Sequence, residues 1–274
     1  MFGGGRMLIM PAMPAHDLPA WTLVSLRPQG DHAALRRAAA RQGGRLLALS
    51  PWRIVPTDDA TTRHALDTAL RAGRVVFTSP AAVRSATRLS PLHVRAGSCW
   101  LAVGGGTAAA LHRAGIADVR IPARADSEGL LDLPELGGPA ASPTALAGIA
   151  VGLVTAPGGR DHLVPALVAR GATVRRADVY RREPVAFSPS AIDRLLAAEG
   201  PLVLAVSSGQ ALQHAIERLP ADALTRLRAG RAVAASARLA ALTRRCGFAD
   251  VAVAPGPRPA QLLSVLADGG GTAR

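Results

Sequence analysis

Apolar and polar positions fall in blocks along this chain. Short apolar runs recur at residues 21–26 (WTLVSL), 74–78 (RVVFT), 100–104 (WLAVG), 149–155 (IAVGLVT), 202–207 (LVLAVS) and 231–236 (RAVAAS). Each run ends in a cluster of Gly, Ser, Thr or Pro, and Ala, Leu and Arg at helical spacing follow, as at 107–113 and 209–218. Apolar runs this short, bounded by turn residues, predict strands buried on both faces. Strand, turn and helix repeated many times predicts α/β architecture: parallel sheets wrapped by helices.

The pattern also repeats on a larger scale. Shifted by about 130 residues, the chain matches itself in order. GIADV at 115–119 returns as GFADV at 247–251, and VVFTSPAAV at 75–83 as LAVSSGQAL at 204–212. RPQGDHAAL after the first strand pairs with APGGRDHLV, and Leu130-Leu131 with Leu262-Leu263. The segment ending at Pro56 aligns with the one ending at Pro184, which sets Trp52 on Tyr180. Two similar domains are expected.

In parallel sheets ligands gather at the carboxyl ends of strands. The turns there are Arg27-Pro28-Gln29-Gly30, Thr78-Ser79-Pro80, Gly104-Gly105-Gly106-Thr107, Pro157-Gly158-Gly159-Arg160, Ser207-Ser208-Gly209 and Ser236-Ala237-Arg238. Each is expected to set a small residue or hydroxyl at a helix N-terminus, where free N–H groups and the helix dipole favour an anion. Ser, Thr and Gly are also ordinary helix caps, so only the number of such turns points to a ligand with several anionic groups. Gly104-Gly105-Gly106-Thr107 lacks the Lys of a phosphate loop, and Ala109 stands where a dinucleotide fingerprint needs its third Gly. The seven His residues show no metal-ligand spacing, and no GxSxG nucleophile elbow occurs.

Charge sharpens this picture. The net charge is +13, and every basic residue is Arg. Compositional bias accounts for part of the excess; an anionic partner is the functional reading, since the guanidinium fork binds carboxylate and phosphate bidentately. The arginines are scattered and aromatics make up only 3% of residues, which argues against nucleic acid and for a polyanionic small molecule. Cys99 and Cys246 share no CxxC spacing and read as buried structural thiols. No apolar run is long enough to span a bilayer. Residues 1–20 read as a flexible leader without a signal-peptide core, and 268–274 as a disordered tail.

Several of these segments resemble the uroporphyrinogen-III synthase family. They are FTSPAAV at 77–83, AVGGGTAAAL at 102–111 (where the family's usual form has Pro for one middle Gly), DSEGLLDLPEL at 126–136, GGRDHLVPALVARGATVRRADVYRREP at 158–184 and ASARLAALTRRCGFADVAVAPGP near the end. The resemblance spans roughly residues 21–266. It implies two similar α/β domains joined by a two-stranded linker, with the active site in the inter-domain cleft. One domain would combine 21–50 with 186–267, the other would be 58–178, and 51–57 and 179–185 would be the linker strands.

The resemblance further implies cyclisation of hydroxymethylbilane, a linear tetrapyrrole octacarboxylate, to uroporphyrinogen III with loss of water and inversion of ring D. Tyr180 matches the family tyrosine proposed as general acid for the leaving hydroxyl. An ordinary phenol keeps its proton at neutral pH. The competing reading is a linker aromatic packed on Trp52. Thr78, Ser79, Pro80, Gly105, Thr107, Ser127, Gly159, Ser207, Ser208 and Ser236 become substrate-binding candidates, chiefly through neighbouring N–H groups, with Arg27, Arg160 and Arg238 pairing with carboxylates. No cofactor or metal is implied. The implied partners are the substrate and the enzyme that produces it; the implied state is a cytoplasmic monomer touching neither membrane nor nucleic acid. Two rivals remain open at this point: a non-catalytic two-domain binder of a polycarboxylate, and a nucleic-acid-binding regulator suggested by charge alone.

Overall fold

A computed structural model describes residues 21–158 and 162–267. The leader 1–20 and tail 268–274 lie outside the described residues. In chain order the strands are β1 (Thr22–Ser25), β2 (Arg45–Ala48), β3 (Trp52–Pro56), β4 (Arg74–Phe77), β5 (Cys99–Ala102), β6 (Ala150–Thr155), β7 (Thr173–Asp178), β8 (Tyr180–Pro184), β9 (Leu202–Val206), β10 (Arg231–Ala234) and β11 (Val251–Val253). The helices are α1 (Ala33–Ala40), α2 (Ala60–Leu70), α3 (Pro80–Leu89), α4 (Gly105–Arg113), α5 (Ser127–Leu131), α6 (Leu163–Ala169), α7 (Pro189–Leu196), α8 (Gly209–Arg218), α9 (Ala221–Arg228), α10 (Ala237–Arg245) and α11 (Pro259–Ala267). Every apolar run predicted as a strand overlaps one.

The chain divides into two compact units. The first comprises Met1–Pro51 with Ala186–Arg274, the second Trp52–Val185. The first unit's sheet has order β11-β10-β9-β1-β2, all parallel. The second has β5-β4-β6-β7, also parallel, with a further bridge from Leu101 to Arg120 beyond β5. Under the repeat, β4, β5, β6 and β7 stand for β9, β10, β1 and β2, so the two orders are the same. In register, Val24 pairs with Leu204 in one sheet and Gly152 with Val75 in the other.

Burial follows from the sequence pattern. All five residues of β9 are buried, as expected of a strand covered on both faces. In the second unit successive residues feed opposite faces of the sheet. Val75, Phe77, Trp100 and Ala102 enter one apolar cluster, while Val76, Leu101, Val151 and Leu153 enter the other. Phe77 and Trp100 stack with centroids 5.6 Å apart. With few aromatics, the remaining volume is filled by Ala, Val and Leu. Packing is close enough that a Cβ on Gly152 of β6 would collide with the Ala69 carbonyl of α2.

β3 and β8 form a separate antiparallel ribbon, with Trp52 opposite Pro184, Ile54 opposite Arg182 and Pro56 opposite Tyr180. Because Trp52 is the repeat equivalent of Tyr180, and Pro56 of Pro184, Ile54 faces its own counterpart. The ribbon is therefore two-fold symmetric in the terms of the duplication. Tyr180 and Trp52 lie at opposite ends of it, so the expectation that Tyr180 packs on Trp52 gives way to a contact described below. Cys99 and Cys246 are free and only half-buried, less enclosed than the sequence suggests. Burial, then nearby Glu135, pushes the Cys99 thiol above its ordinary range. Among the described residues no helix is long and apolar enough to cross a membrane.

Candidate active site

A parallel sheet sets all its carboxyl ends on one edge. In the second unit that edge gathers the turns after β4, β5 and β6 and the passage from β7 into β8. Ser79 caps α3: its Oγ accepts from the Ala82 N–H at 3.0 Å, and Pro80 follows in the first turn. Pro at this position already has the helical φ and lacks an N–H that would go unpaired. Beside it, the Thr78 hydroxyl donates to Thr155 Oγ1 at 2.7 Å, joining the ends of β4 and β6. Tyr180 enters from β8. It is only 2% exposed and belongs to the apolar cluster that also holds Phe77, Ala81, Ala82 and Val179, and its hydroxyl lies 3.0 Å from Ser79 Oγ.

The turn after β5 is next along the same edge. Gly104 is the N-cap of α4, which opens with Gly105; Thr107 in its first turn is buried. A Cβ on Gly104 would lie 2.8 Å from Ala125 Cβ, so the absence of a side chain lets the 124–127 loop approach. Ser127 follows, half-buried. The cap of the short helix α5 is its neighbour Asp126, whose Oδ1 accepts from the Gly129 N–H at 2.7 Å. Asp and Ser are equally good caps, so the sequence does not separate the two.

The first unit repeats the layout. Ser208 caps α8 and Ser236 caps α10, while Ser207 is exposed just before its cap. Arg238 is exposed in the first turn of α10. The Arg27 turn departs from the expectation. Arg27 donates from Nη1 to Asp31 Oδ2 at 3.4 Å and from Nη2 to the Pro257 carbonyl at 3.3 Å, so part of its fork is committed. No hydroxyl caps α1; the cap residue is His32, and its ring caps nothing. Instead His32, 6% exposed, lies 3.0 Å by Nδ1 from Ser25 Oγ and 2.8 Å by Nε2 from Ser50 Oγ. Burial lowers its pKa from 6.5; Asp31 opposes this, and Arg36 and Arg27 add to it. A search for metal spacing passes over a histidine of this kind. Its signal was the pair of serines at the ends of neighbouring strands. Gly159 and Arg160 lie outside the described residues.

Capping alone does not mark a site. Asp59 and Ser188 cap α2 and α7 after the ribbon strands in the same way. Nor does each Arg await an anion. Arg170 donates to the carbonyls of Leu131 and Leu136, Arg226 to those of Ala198 and Gly200, Arg228 to Cys246 and Arg244 to Val251. These arginines close loops onto helix ends, which accounts for part of the basic excess. The pair Tyr180 and Ser79 is distinct: two proton-bearing oxygens meet at the carboxyl edge, one buried and one half-open. Among the described residues no cluster of three or more His, Cys, Asp or Glu could hold a metal.

Two parallel-sheet units of the same strand order, arising by internal duplication and accompanied by an antiparallel ribbon, define a class of duplicated α/β proteins. Comparison with known proteins narrows it. The family profile described as uroporphyrinogen-III synthase HemD matches residues 33–264, and the chain belongs to that family. A uroporphyrinogen-III synthase of Salmonella typhimurium is 33% identical over 169 residues, a match that takes in 61% of this chain and 66% of the relative, a little under two thirds of its length. Among solved structures, a mutant uroporphyrinogen III synthase of Thermus thermophilus superposes with a TM-score of 0.56 at 20% identity, over 91% of this chain and 98% of that one. The uroporphyrinogen-III synthetase of Helicobacter pylori gives 0.55 at 14%, over 90% and 98%. At such identities these two likenesses establish the fold alone.

Proposed function

We propose that this chain converts hydroxymethylbilane to uroporphyrinogen III, expelling the terminal hydroxyl as water and closing the ring with its last pyrrole inverted. Family membership carries the reading, and the Tyr180–Ser79 contact supports it. The linear substrate also closes unaided without inversion, so the protein's task is to hold it folded for one closure. Its carboxylates suit the N–H groups at the turns of Thr78, Ser79, Pro80, Gly105, Thr107, Ser127, Gly159, Ser207, Ser208 and Ser236, each dipole contact contributing about 0.3–1 kcal/mol. Arg27, Arg160 and Arg238 would pair with others.

The leaving hydroxyl needs a proton, and Tyr180, the only tyrosine, is its source in this reading. The same reading has the chain act as a monomer in the cytoplasm, receiving its substrate from the enzyme that assembles it. Adding the protein to hydroxymethylbilane should speed its disappearance saturably above the spontaneous rate. Tyr180→Phe should lower kcat by about 10²-fold and leave the fold intact. No acceleration by the wild-type chain would remove the proposal; an unimpaired Tyr180→Phe would remove the tyrosine's role.

A further inference from the structure

The exposure of the two oxygens at this edge differs in a way that bears on the route of the proton. Tyr180 is 2% exposed, its ring enclosed by the second unit's core. Ser79 is half-buried in the turn after β4, at the edge where ligands of parallel sheets bind. The two oxygens are 3.0 Å apart. A buried phenol cannot itself reach a bulky tetrapyrrole without leaving its packing. A serine that stands between that phenol and the open edge can.

We infer that Ser79 is the residue touching the leaving hydroxyl, and that the proton of Tyr180 reaches substrate through Ser79 Oγ. This rests on the proposed cyclisation and deepens it. The Ala82 N–H occupies one lone pair of Ser79 Oγ at 3.0 Å and holds the rotamer. With Tyr180 as donor to the second lone pair, the serine proton is free to point outward. When the C–O bond of the substrate breaks, its electron pair stays on oxygen, which takes the Ser79 proton and departs as water. Ser79 Oγ takes the Tyr180 proton in the same movement. The positive charge stays on the azafulvenium left behind, and the negative charge on the phenolate. The substituted carbon of the last pyrrole attacks the azafulvenium carbon and forms a spiro intermediate; the bond from that carbon to the neighbouring ring's bridge then breaks and leaves a second azafulvenium there, which the last pyrrole's unsubstituted α-carbon attacks, shedding its proton to restore aromaticity. That proton returns through Ser79 to Tyr180, so the pair ends the cycle as it began and no external acid is consumed.

A helix cap and a relay make different demands on this side chain, and substitutions separate them. Asn caps a helix as well as Ser but passes no proton. Ser79→Asn should keep the wild-type melting temperature and KM and lower kcat by about 10²-fold. Ser79→Thr, which retains both cap and hydroxyl, should restore most of that loss. Ser79→Asn combined with Tyr180→Phe should be no slower than Tyr180→Phe alone, because both remove one path. Unchanged kcat in Ser79→Asn beside an impaired Tyr180→Phe overturns the relay and leaves the cyclisation and the tyrosine's role standing. So do losses that multiply in the double variant, a loss confined to KM, or failure of Thr to restore the rate. A wild-type chain that forms no type III product would instead sink the underlying reaction.

Discussion

The Tyr180 phenol and the His32 imidazole show what burial does to single groups. Tyr180 stood out in the sequence as the only tyrosine, at an aligned repeat position; its depth and its partner did not, because the Ser79 contact joins residues far apart in the chain. The partners of His32 are only 7 and 18 residues away, but they sit at the ends of two neighbouring strands, which no local pattern reports. In its neutral form one ring nitrogen donates and the other accepts, which suits hydroxyls on both sides. Burial lowers its folded pKa below the ordinary 6.5. The unfolded chain then binds more protons between the two values, so the contribution is complete above about 6.5 and is lost as pH falls through the lower, folded value. Urea unfolding at about pH 7.5 and about pH 5.5 should show the wild type losing more stability on acidification than His32→Gln. Equal losses in both proteins would contradict this.

At the level of elements, strand and helix type were legible because continuous apolar runs and Ser-Pro or Ser-Gly caps are local signals. The caps of α3, α8 and α10 fall at Ser79, Ser208 and Ser236. What local pattern could not give is which strand end meets which helix. Gly152 illustrates it: within an apolar strand it looks like a weak point, yet α2 crosses so closely that the Ala69 carbonyl fills the place of a Cβ. Gly152→Ala should destabilise the fold by about 1–3 kcal/mol through overpacking, read as a lower urea midpoint at unchanged slope. Wild-type stability in that variant would show that α2 can withdraw without cost.

For the molecule as a whole, the duplication was the most informative feature of the sequence. It anticipated two similar parallel-sheet units, and the two sheets share one strand order. It also explains the ribbon. When each sheet takes strands from both halves of the chain, as with β1 beside β9 and β4 beside β6, the connections must cross between units. The ribbon strands β3 and β8 are repeat equivalents, and they pair antiparallel about Ile54 and Arg182. Net charge was the least specific signal, since arginines such as Arg170 and Arg226 end on backbone carbonyls.

The central claim is that this fold directs an intrinsically reactive chain to the inverted closure, and product identity tests it most directly. Hydroxymethylbilane is incubated with the purified protein, the product is oxidised, and the type I and type III uroporphyrins are separated by chromatography. The account predicts type III as the major isomer, with type I dominating when the protein is omitted. Type I alone, from protein shown to be folded by its circular dichroism and cooperative melting, would contradict it.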